Sequence, residues 1–450
     1  MMGVRNALGL GREKGLEPGT HRFDGKGELA HHRFHLRMDS QRKGVLIIDA
    51  SKLLFLNGTA LDYARGVIEG WDEARIVKHM RSRYRKLDDA TARQDYGNVR
   101  DQLLGFLHGQ ADIIQQTAAE TPTIGADALP SPYRMDLALT YRCENKCAHC
   151  YNEDRKVEEM GLDQWLKVID RTWEIGVPHV VFTGGEPTLS PHLRDLVARS
   201  EKHGQVTGLI SNGRKLGQEG YLRDLIAAGL DHVQITLLSH RQSVHDALSG
   251  CEGAWQESVA GIKAGVKEDF YLATNTTIMK ENYDDVEETM RFLVGLGVKN
   301  IAFNGLIRSG KGKTATSITY EELESLMVRV MAIAEEAGVK LIWYTPTPYC
   351  NFNPVNFGLG IKQCTACSLN MAVEPDGTVL PCQSYYQPLG NMLSDSWDKI
   401  WNHGLCKRLR SREYLPEDCR KCELADVCGG GCPLAHERED YLCLDRHSNM

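Results

Sequence analysis

From Met135 onward the chain alternates strand-like and helix-like runs, and this alternation restricts the fold more than any other feature of the sequence. Strand patterns at 135–141, 179–183, 206–211, 232–238, 271–278 and 299–306 lead into helical patterns at 162–175, 191–203, 218–228, 254–267, 283–296 and 319–337. Strands that each feed a helix predict a parallel α/β architecture, because parallel neighbours need a long crossover and a helix supplies it. A further strand at Lys340–Tyr344 is expected to close the series. In such folds the reactive residues belong at the C-terminal ends of the strands.

At 450 residues the chain exceeds one ordinary core, so two or three domains are expected. Residues 1–30 lack periodicity and read as a loosely ordered leader segment. Residues 31–115 read as a small α+β unit, with strand-like runs at Gly44–Asp49 and Leu53–Leu56 and an Asn57-Gly58 turn signal. Helices follow at 59–69, 72–85 and 90–107. Residues 116–131, rich in Thr, Pro, Ala and Gly, read as a linker, and the α/β region spans 132–344. Residues 345–450 break into short pieces punctuated by Gly and Pro and hold most of the fourteen cysteines. Too little continuous apolar pattern remains there for a large core, so metals or clusters are expected to staple it.

A formal charge of −7 gives no basic field of the kind that draws a protein to nucleic acid or an anionic membrane, and neither is expected as a partner. No apolar run reaches the length of a membrane span, and Met1-Met2-Gly3-Val4-Arg5 opens into polar sequence, so a cytoplasmic location is expected. Thiols stay reduced in such a compartment, which makes metal ligation the leading explanation for the cysteines.

Their spacing sharpens that expectation. Cys143, Cys147 and Cys150 follow the first predicted strand on one short loop. Three thiolates can ligate three irons of a [4Fe–4S] cluster and leave the fourth open, where the usual complement is four. An open iron can accept the amino and carboxylate groups of S-adenosylmethionine and hold its sulfonium for one-electron cleavage. Zinc is the plainer reading, but zinc sites favour two pairs across a longer gap, and this triplet stands alone in its region. After the next strand comes Val180-Val-Phe-Thr-Gly184-Gly185-Glu186-Pro187, where residues without Cβ atoms permit close backbone approach and Glu186 adds a fixed acceptor.

Taken together, the C-x3-C-x2-C loop and the Gly-Gly-Glu-Pro turn resemble those of the radical S-adenosylmethionine (radical SAM) superfamily, with His149 where an aromatic residue usually precedes the third cysteine. The resemblance implies a partial (β/α)6 TIM-like barrel in the α/β class. It implies that Gly184, Gly185 and Glu186 bind the methionine end of the cofactor. Ser211 at the end of the third strand and Thr236 in the fourth would then offer hydroxyl contacts, although simple strand-end turns explain them equally well. Related peptide-modifying members carry an arginine three residues after a His-Asp pair; here Ser249 follows His245-Asp246, so the carboxylate partner has no assignment.

Further on, Val373-Glu-Pro-Asp-Gly-Thr-Val-Leu-Pro-Cys382 and Cys419-x2-Cys422-x5-Cys428-x3-Cys432 resemble the SPASM extension of radical enzymes that mature peptides. That resemblance implies two auxiliary [4Fe–4S] clusters. Cys419, Cys422, Cys428 and Cys443 would hold one; Cys382 and Cys432 would hold the other with two of Cys350, Cys364 and Cys367, of which Cys364 and Cys367 are preferred. Paired C-x2-C units also suit a zinc ribbon, and it is the upstream triplet that favours clusters. Cys251 and Cys406 fit neither array and read as packing residues.

Residues 31–115, through Leu53-Leu-Phe-Leu-Asn57-Gly-Thr-Ala60 and Val67-Ile-Glu-Gly70, resemble the PqqD-like peptide-recognition domain, a small winged-helix-like α+β fold. An ordinary helical cap on the barrel is the competing reading. The combined expectation is an oxidoreductase that cleaves S-adenosylmethionine to a 5′-deoxyadenosyl radical and cross-links a ribosomally made precursor peptide bearing a leader sequence. Flavodoxin or ferredoxin is expected as electron donor, and no acid–base residue is assigned. The alternatives are a maturase of a protein residue, of a tetrapyrrole or of a metallopterin, and a non-catalytic iron–sulfur carrier.

Overall fold

The computed structural model describes residues 16–30, 32–38, 44–48, 52–84, 86–107 and 130–436. The chain divides into two compact units, residues 1–128 and 129–450.

In the first unit, strands β1 (Gly19–Asp24), β2 (Arg33–Met38), β3 (Gly44–Ile48) and β4 (Lys52–Leu56) form an antiparallel sheet in sequential order. Helices α1 (Gly58–Ile68), α2 (Glu73–Arg83) and α3 (Asp89–Leu107) follow. Phe34, Leu36, Met38, Leu46 and Ile48 share a core with Leu61, Ile68, Ile76 and Met80 from the helices. Each such buried side chain contributes about 1.5–3 kcal/mol of transfer free energy.

Asn57, read as a turn residue, is the N-cap of α1, its Oδ1 accepting from the backbone N–H groups of Thr59 and Ala60 at 3.1 and 2.9 Å. Two strands differ from the sequence expectation. The segment 19–24, placed in a loosely ordered leader, pairs along its whole length with β2, Phe23 standing opposite Phe34. Its own residues, Gly-Thr-His-Arg-Phe-Asp, carry almost no apolar pattern, so the pairing comes from its neighbour. For β2 the period-two signal is present, in Phe34, Leu36 and Met38.

In the second unit the expected α/β class and parallel partial barrel are found. Strands β5 (Arg134–Thr140), β6 (His179–Gly184), β7 (Val206–Ser211), β8 (His232–Thr236), β9 (Tyr271–Thr277), β10 (Asn300–Asn304) and β11 (Lys340–Trp343) are all parallel and sequentially ordered. Helices α4 (Leu162–Glu174), α5 (Leu193–His203), α6 (Tyr221–Ala227), α7 (Gln242–Ser249), α8 (Ala254–Val266), α9 (Val286–Gly295) and α10 (Tyr320–Ala337) lie between them. Alternate strand residues Met135, Leu137, Leu139, Val180 and Phe182 join the core with helix residues such as Trp165, Val168 and Ile169. By the strand's period of two, Asp136, Ala138, Thr140 and Thr183 take the opposite, inner face.

Helix α10 shows how locally this is encoded. Thr319 and Glu322 cap its start reciprocally, each side chain accepting from the other's backbone N–H, and Gly338 ends it at φ +62°. Helix α7, which the sequence reading treated only as a His-Asp motif, is a further element.

The cysteine-rich extension does not stand apart from the barrel. Strand β12 (Asn370–Val373) pairs in parallel with β5, Met371 opposite Met135, and β13 (Thr378–Leu380) and β14 (Gly390–Asn391) continue the same sheet antiparallel. No helix among the described residues is long and apolar enough to cross a membrane.

Candidate functional site

The loop after β5 is held down by its neighbours' backbones. The N–H groups of Gly185 and Glu186 donate to the carbonyls of Thr140 and Arg142 at 2.7 and 2.8 Å. A Cβ on Gly184 would lie 2.3 Å from the Thr140 oxygen, and one on Gly185 would lie 2.3 Å from the Arg142 oxygen and 2.6 Å from that of Tyr141. The paired glycines thus let the cysteine loop sit directly on the turn, a packing demand that exists before any cofactor is considered. On the other side, Lys146 and Ala148 donate from their backbones to Ser249 and Leu248 at the end of α7, both at 2.8 Å.

Within this loop Cys143 is exposed and Cys147 and Cys150 are half-buried. Burial pushes the Cys147 thiol up to about 12, and the neighbouring Cys150 and Cys143 sulfurs push the same way. Like charges this close resist joint ionisation until a cation shares them, which suits a cluster-binding loop. Among the described residues no three His, Cys, Asp or Glu side chains converge on a single ion. Thiolates that each take a different iron of a cube have no need to. An all-sulfur donor set is the chemistry that iron–sulfur clusters select.

Glu186 is fully buried, and both of its oxygens accept bonds from the protein. Its Oε1 accepts from the Thr188 backbone, the Thr188 hydroxyl and the Ser211 hydroxyl at 3.0, 2.7 and 2.9 Å, and its Oε2 accepts from the Asn212 backbone at 2.8 Å. Burial raises its pKa and these bonds oppose that rise. Glu186 and Ser211 therefore tie the ends of β6 and β7 together. The group left without a partner at that strand end is the Asn212 side-chain nitrogen, which is buried. Thr236, half-buried on β8, lies in register with Asn275, whose side-chain oxygen is also buried without a partner. Arg241, near the expected carboxylate partner in sequence, pairs with Asp285 at 2.6 Å. Arg214 instead reaches the cysteine loop, donating to Asn145 Oδ1 at 2.7 Å and to Cys251 Sγ at 3.2 Å.

The C-terminal cysteines sort into two groups. Burial, then Cys432 and Cys382, raises the Cys364 thiol; burial pushes Cys382 up to about 12 with Cys432 contributing. Cys364, Cys382 and Cys432 thus lie near enough for each other's charge to be felt. Burial raises Cys419, followed by Cys428 and Cys422, which marks the second group. Cys367, preferred from sequence as a partner of Cys364, is fully buried with its sulfur 2.7 Å from that of Cys406, itself fully buried, and it too feels the Cys382 sulfur. Cys350 lies beside the second group, since the Tyr349 N–H donates to Cys428 Sγ at 3.2 Å, and is disulfide-bonded. Cys443 lies outside the described residues.

A polar cluster between the cysteine loop and the extension was not anticipated. Tyr141 donates its hydroxyl to Glu374 at 2.9 Å, Arg155 pairs with the same carboxylate at 3.0 Å, and Tyr386 donates to Asn152 at 3.1 Å. Together with Tyr151, Thr183 and Gly184, residues Tyr141, Asn152 and Glu374 line a cavity. The only sequence signal was Glu374 itself, a carboxylate directly after the apolar run Met371-Ala372-Val373.

Comparison with known proteins agrees with this geometry. Residues 137–293 match the radical SAM superfamily and residues 364–423 match SPASM, an iron–sulfur cluster-binding domain. A PqqA peptide cyclase from Ruegeria pomeroyi is 28% identical over 334 residues, spanning 69% of this chain and 86% of that protein. SuiB of Streptococcus suis, solved with its precursor peptide SuiA, shares the fold with a TM-score of 0.66 at 17% identity, over 90% of this chain and 95% of SuiB. The S-adenosylmethionine-bound anSMEcpe gives 0.56 at 18% identity, over 69% of this chain and 92% of its own. Residues 137–293 thus form a radical SAM domain, which implies a [4Fe–4S] cluster and S-adenosylmethionine, and residues 364–423 form a SPASM domain, which implies auxiliary iron–sulfur clusters.

Proposed function

We propose that the protein uses S-adenosylmethionine to generate a 5′-deoxyadenosyl radical, removes hydrogen from a ribosomally made precursor peptide, and completes an oxidative cross-link. The observation that carries this reading is a three-thiol loop seated on the Gly184-Gly185-Glu186 turn, in a chain whose relative is a peptide cyclase. Cys143, Cys147 and Cys150 hold the cluster, which supplies the electron for cleavage when bound. Gly184 and Gly185 fix the loop's height, while Glu186 and Ser211 hold the adjoining strand ends rigid. Thr236 and the unpartnered Asn212 side-chain nitrogen are available to the cofactor's polar groups.

In the extension, Cys364, Cys382 and Cys432 form the core of one auxiliary site, and Cys419, Cys422 and Cys428 form that of a second, completed by Cys443. The first unit takes the peptide's leader: its sheet ends on β1 and β4, and an extended peptide can add to such an edge through backbone pairing. A small ferredoxin or flavodoxin in a reducing cytoplasm supplies the electrons.

The test is direct. Anaerobically reconstituted, dithionite-reduced protein should release 5′-deoxyadenosine from S-adenosylmethionine, and a leader-bearing peptide should bind the full chain. Full iron loading with no 5′-deoxyadenosine would sink the catalytic reading; cleavage with no peptide affinity would remove only the substrate class.

A further inference from the structure

The turn after β10 reaches back to the cysteine loop, although more than 150 residues separate them. Lys311 donates its backbone N–H to the carbonyl of Cys150 at 2.8 Å and its ammonium to the carbonyl of Lys146 at 3.2 Å. Those two carbonyls flank Cys147, so one residue grips both limbs of the segment that carries two of the three thiols. Lys313 adds a third link by pairing with Glu153 at 3.0 Å.

The turn is built to make this approach. A Cβ on Gly310, at φ +51°, would lie 2.6 Å from the Cys150 oxygen and 2.5 Å from that of Asn152. One on Gly312 would lie 2.1 Å from the Ile307 oxygen. Arg308 braces the turn from inside, donating to the carbonyls of Gly312 and Ala315 at 3.3 and 3.2 Å. Backbone contact at these distances needs glycine on both sides of Lys311.

Charge makes the position more than a brace. The Lys311 ammonium is held on the carbonyl of Lys146, the residue just before Cys147, so a positive charge stands beside the segment that carries Cys147 and Cys150. Reduction of a [4Fe–4S] centre adds one negative charge, which a nearby ammonium stabilises and nearby carboxylates oppose. Outer groups of this kind orient ligands and tune the metal they surround.

We infer that Lys311 is a positioning residue for the radical-generating cluster, pinning the Cys147–Cys150 segment and favouring the cluster's reduced state. The inference rests on the reading that Cys143, Cys147 and Cys150 hold that cluster. The electron itself comes from an external reductant, and Lys311 exchanges no atoms.

The test uses the full chain, reconstituted anaerobically and titrated with dithionite while the EPR signal that responds to S-adenosylmethionine is followed, which separates this cluster from any auxiliary one. Lys311→Gln keeps a donor for the Lys146 carbonyl without the charge, Lys311→Met removes both, and Lys311→Arg keeps both. The expected result is wild-type iron content in Lys311→Gln with a more negative midpoint, so that at one poised potential its reduced-to-oxidised ratio falls severalfold. Lys311→Arg should match wild type, and the difference should narrow at high ionic strength because Lys311 is exposed. Lys311→Met should in addition lose occupancy of this cluster. A Lys311→Gln midpoint equal to wild type overturns the electrostatic role, and full occupancy in Lys311→Met overturns the pinning role. Absence of an S-adenosylmethionine-responsive signal in the wild type would instead remove the underlying cluster assignment.

Discussion

The loop at Cys143–Cys150 and the array at Cys364–Cys432 both gather thiols, and they do so in opposite ways. In the loop, three cysteines lie within eight residues, and the rest of the fold serves only to hold that short stretch in place. In the array, Cys364, Cys382 and Cys432 come from points up to 68 residues apart, the first two flanking a hairpin that extends the barrel's own sheet. A contiguous motif can be read from spacing; a dispersed one depends on which thiols the packing leaves facing one another. Cys367 illustrates the difference, since three residues from Cys364 it turns at φ +57° into a buried contact with Cys406.

The comparison is sharpened most by removing one sulfur from each side. Cys147→Ala should reduce 5′-deoxyadenosine release to background while the auxiliary clusters remain detectable by iron analysis. Cys364→Ala should lose one auxiliary cluster, about four irons per chain, whereas Cys367→Ala should keep the wild-type iron content. Equal losses from these two variants would show that Cys367 is a ligand and that the contact with Cys406 does not decide the set.

A smaller effect is expected where backbone alone supports the loop. Gly185→Ala places a Cβ against two carbonyl oxygens that cannot swing aside, a strain of about 1–3 kcal/mol. Thermal unfolding should show a lowered midpoint, and cofactor cleavage should fall with it; an unchanged midpoint would mean that the loop yields more readily than its hydrogen bonds imply.

The smallest effect lies outside both cysteine regions and serves as their control. The Asp170 carboxyl on α4 is lowered to about 2, chiefly by Arg199 on α5, whose Nε and Nη2 approach at 2.6 and 2.7 Å, with His203 adding a further bond. A depressed carboxylate stabilises the fold above its unfolded pKa of about 4 and loses that contribution as pH falls towards 2. Asp170→Asn should therefore cost about 1 kcal/mol or less at pH 7, with the gap closing on acidification and iron content unchanged.

Much of the barrel was legible because its signals are local. Period-two strands such as Met135–Leu139, the cap formed by Thr319 and Glu322, and the stop at Gly338 act over a few residues and survive without knowledge of neighbours. Strand β1 was not legible, because an edge strand of polar residues is defined by the partner it pairs with. Strands β12 to β14 were too short and too punctuated to announce themselves, and the Tyr141–Glu374–Arg155 cluster joins residues more than 200 positions apart. Glu186 was read as a cofactor contact from its motif; only its surroundings show that its carboxylate also ties the ends of two strands together.

By itself the sequence determined which chemistry this protein can carry, because thiol spacing and glycine placement act within a single turn or loop. Tertiary structure alone decided which distant thiols lie near one another, which carboxylates accept bonds from the scaffold, and that Lys311 stands beside Cys147 and Cys150. The physical reason is range: local conformation is set by neighbours along the chain, whereas burial and charge depend on whatever folding brings within a few ångströms.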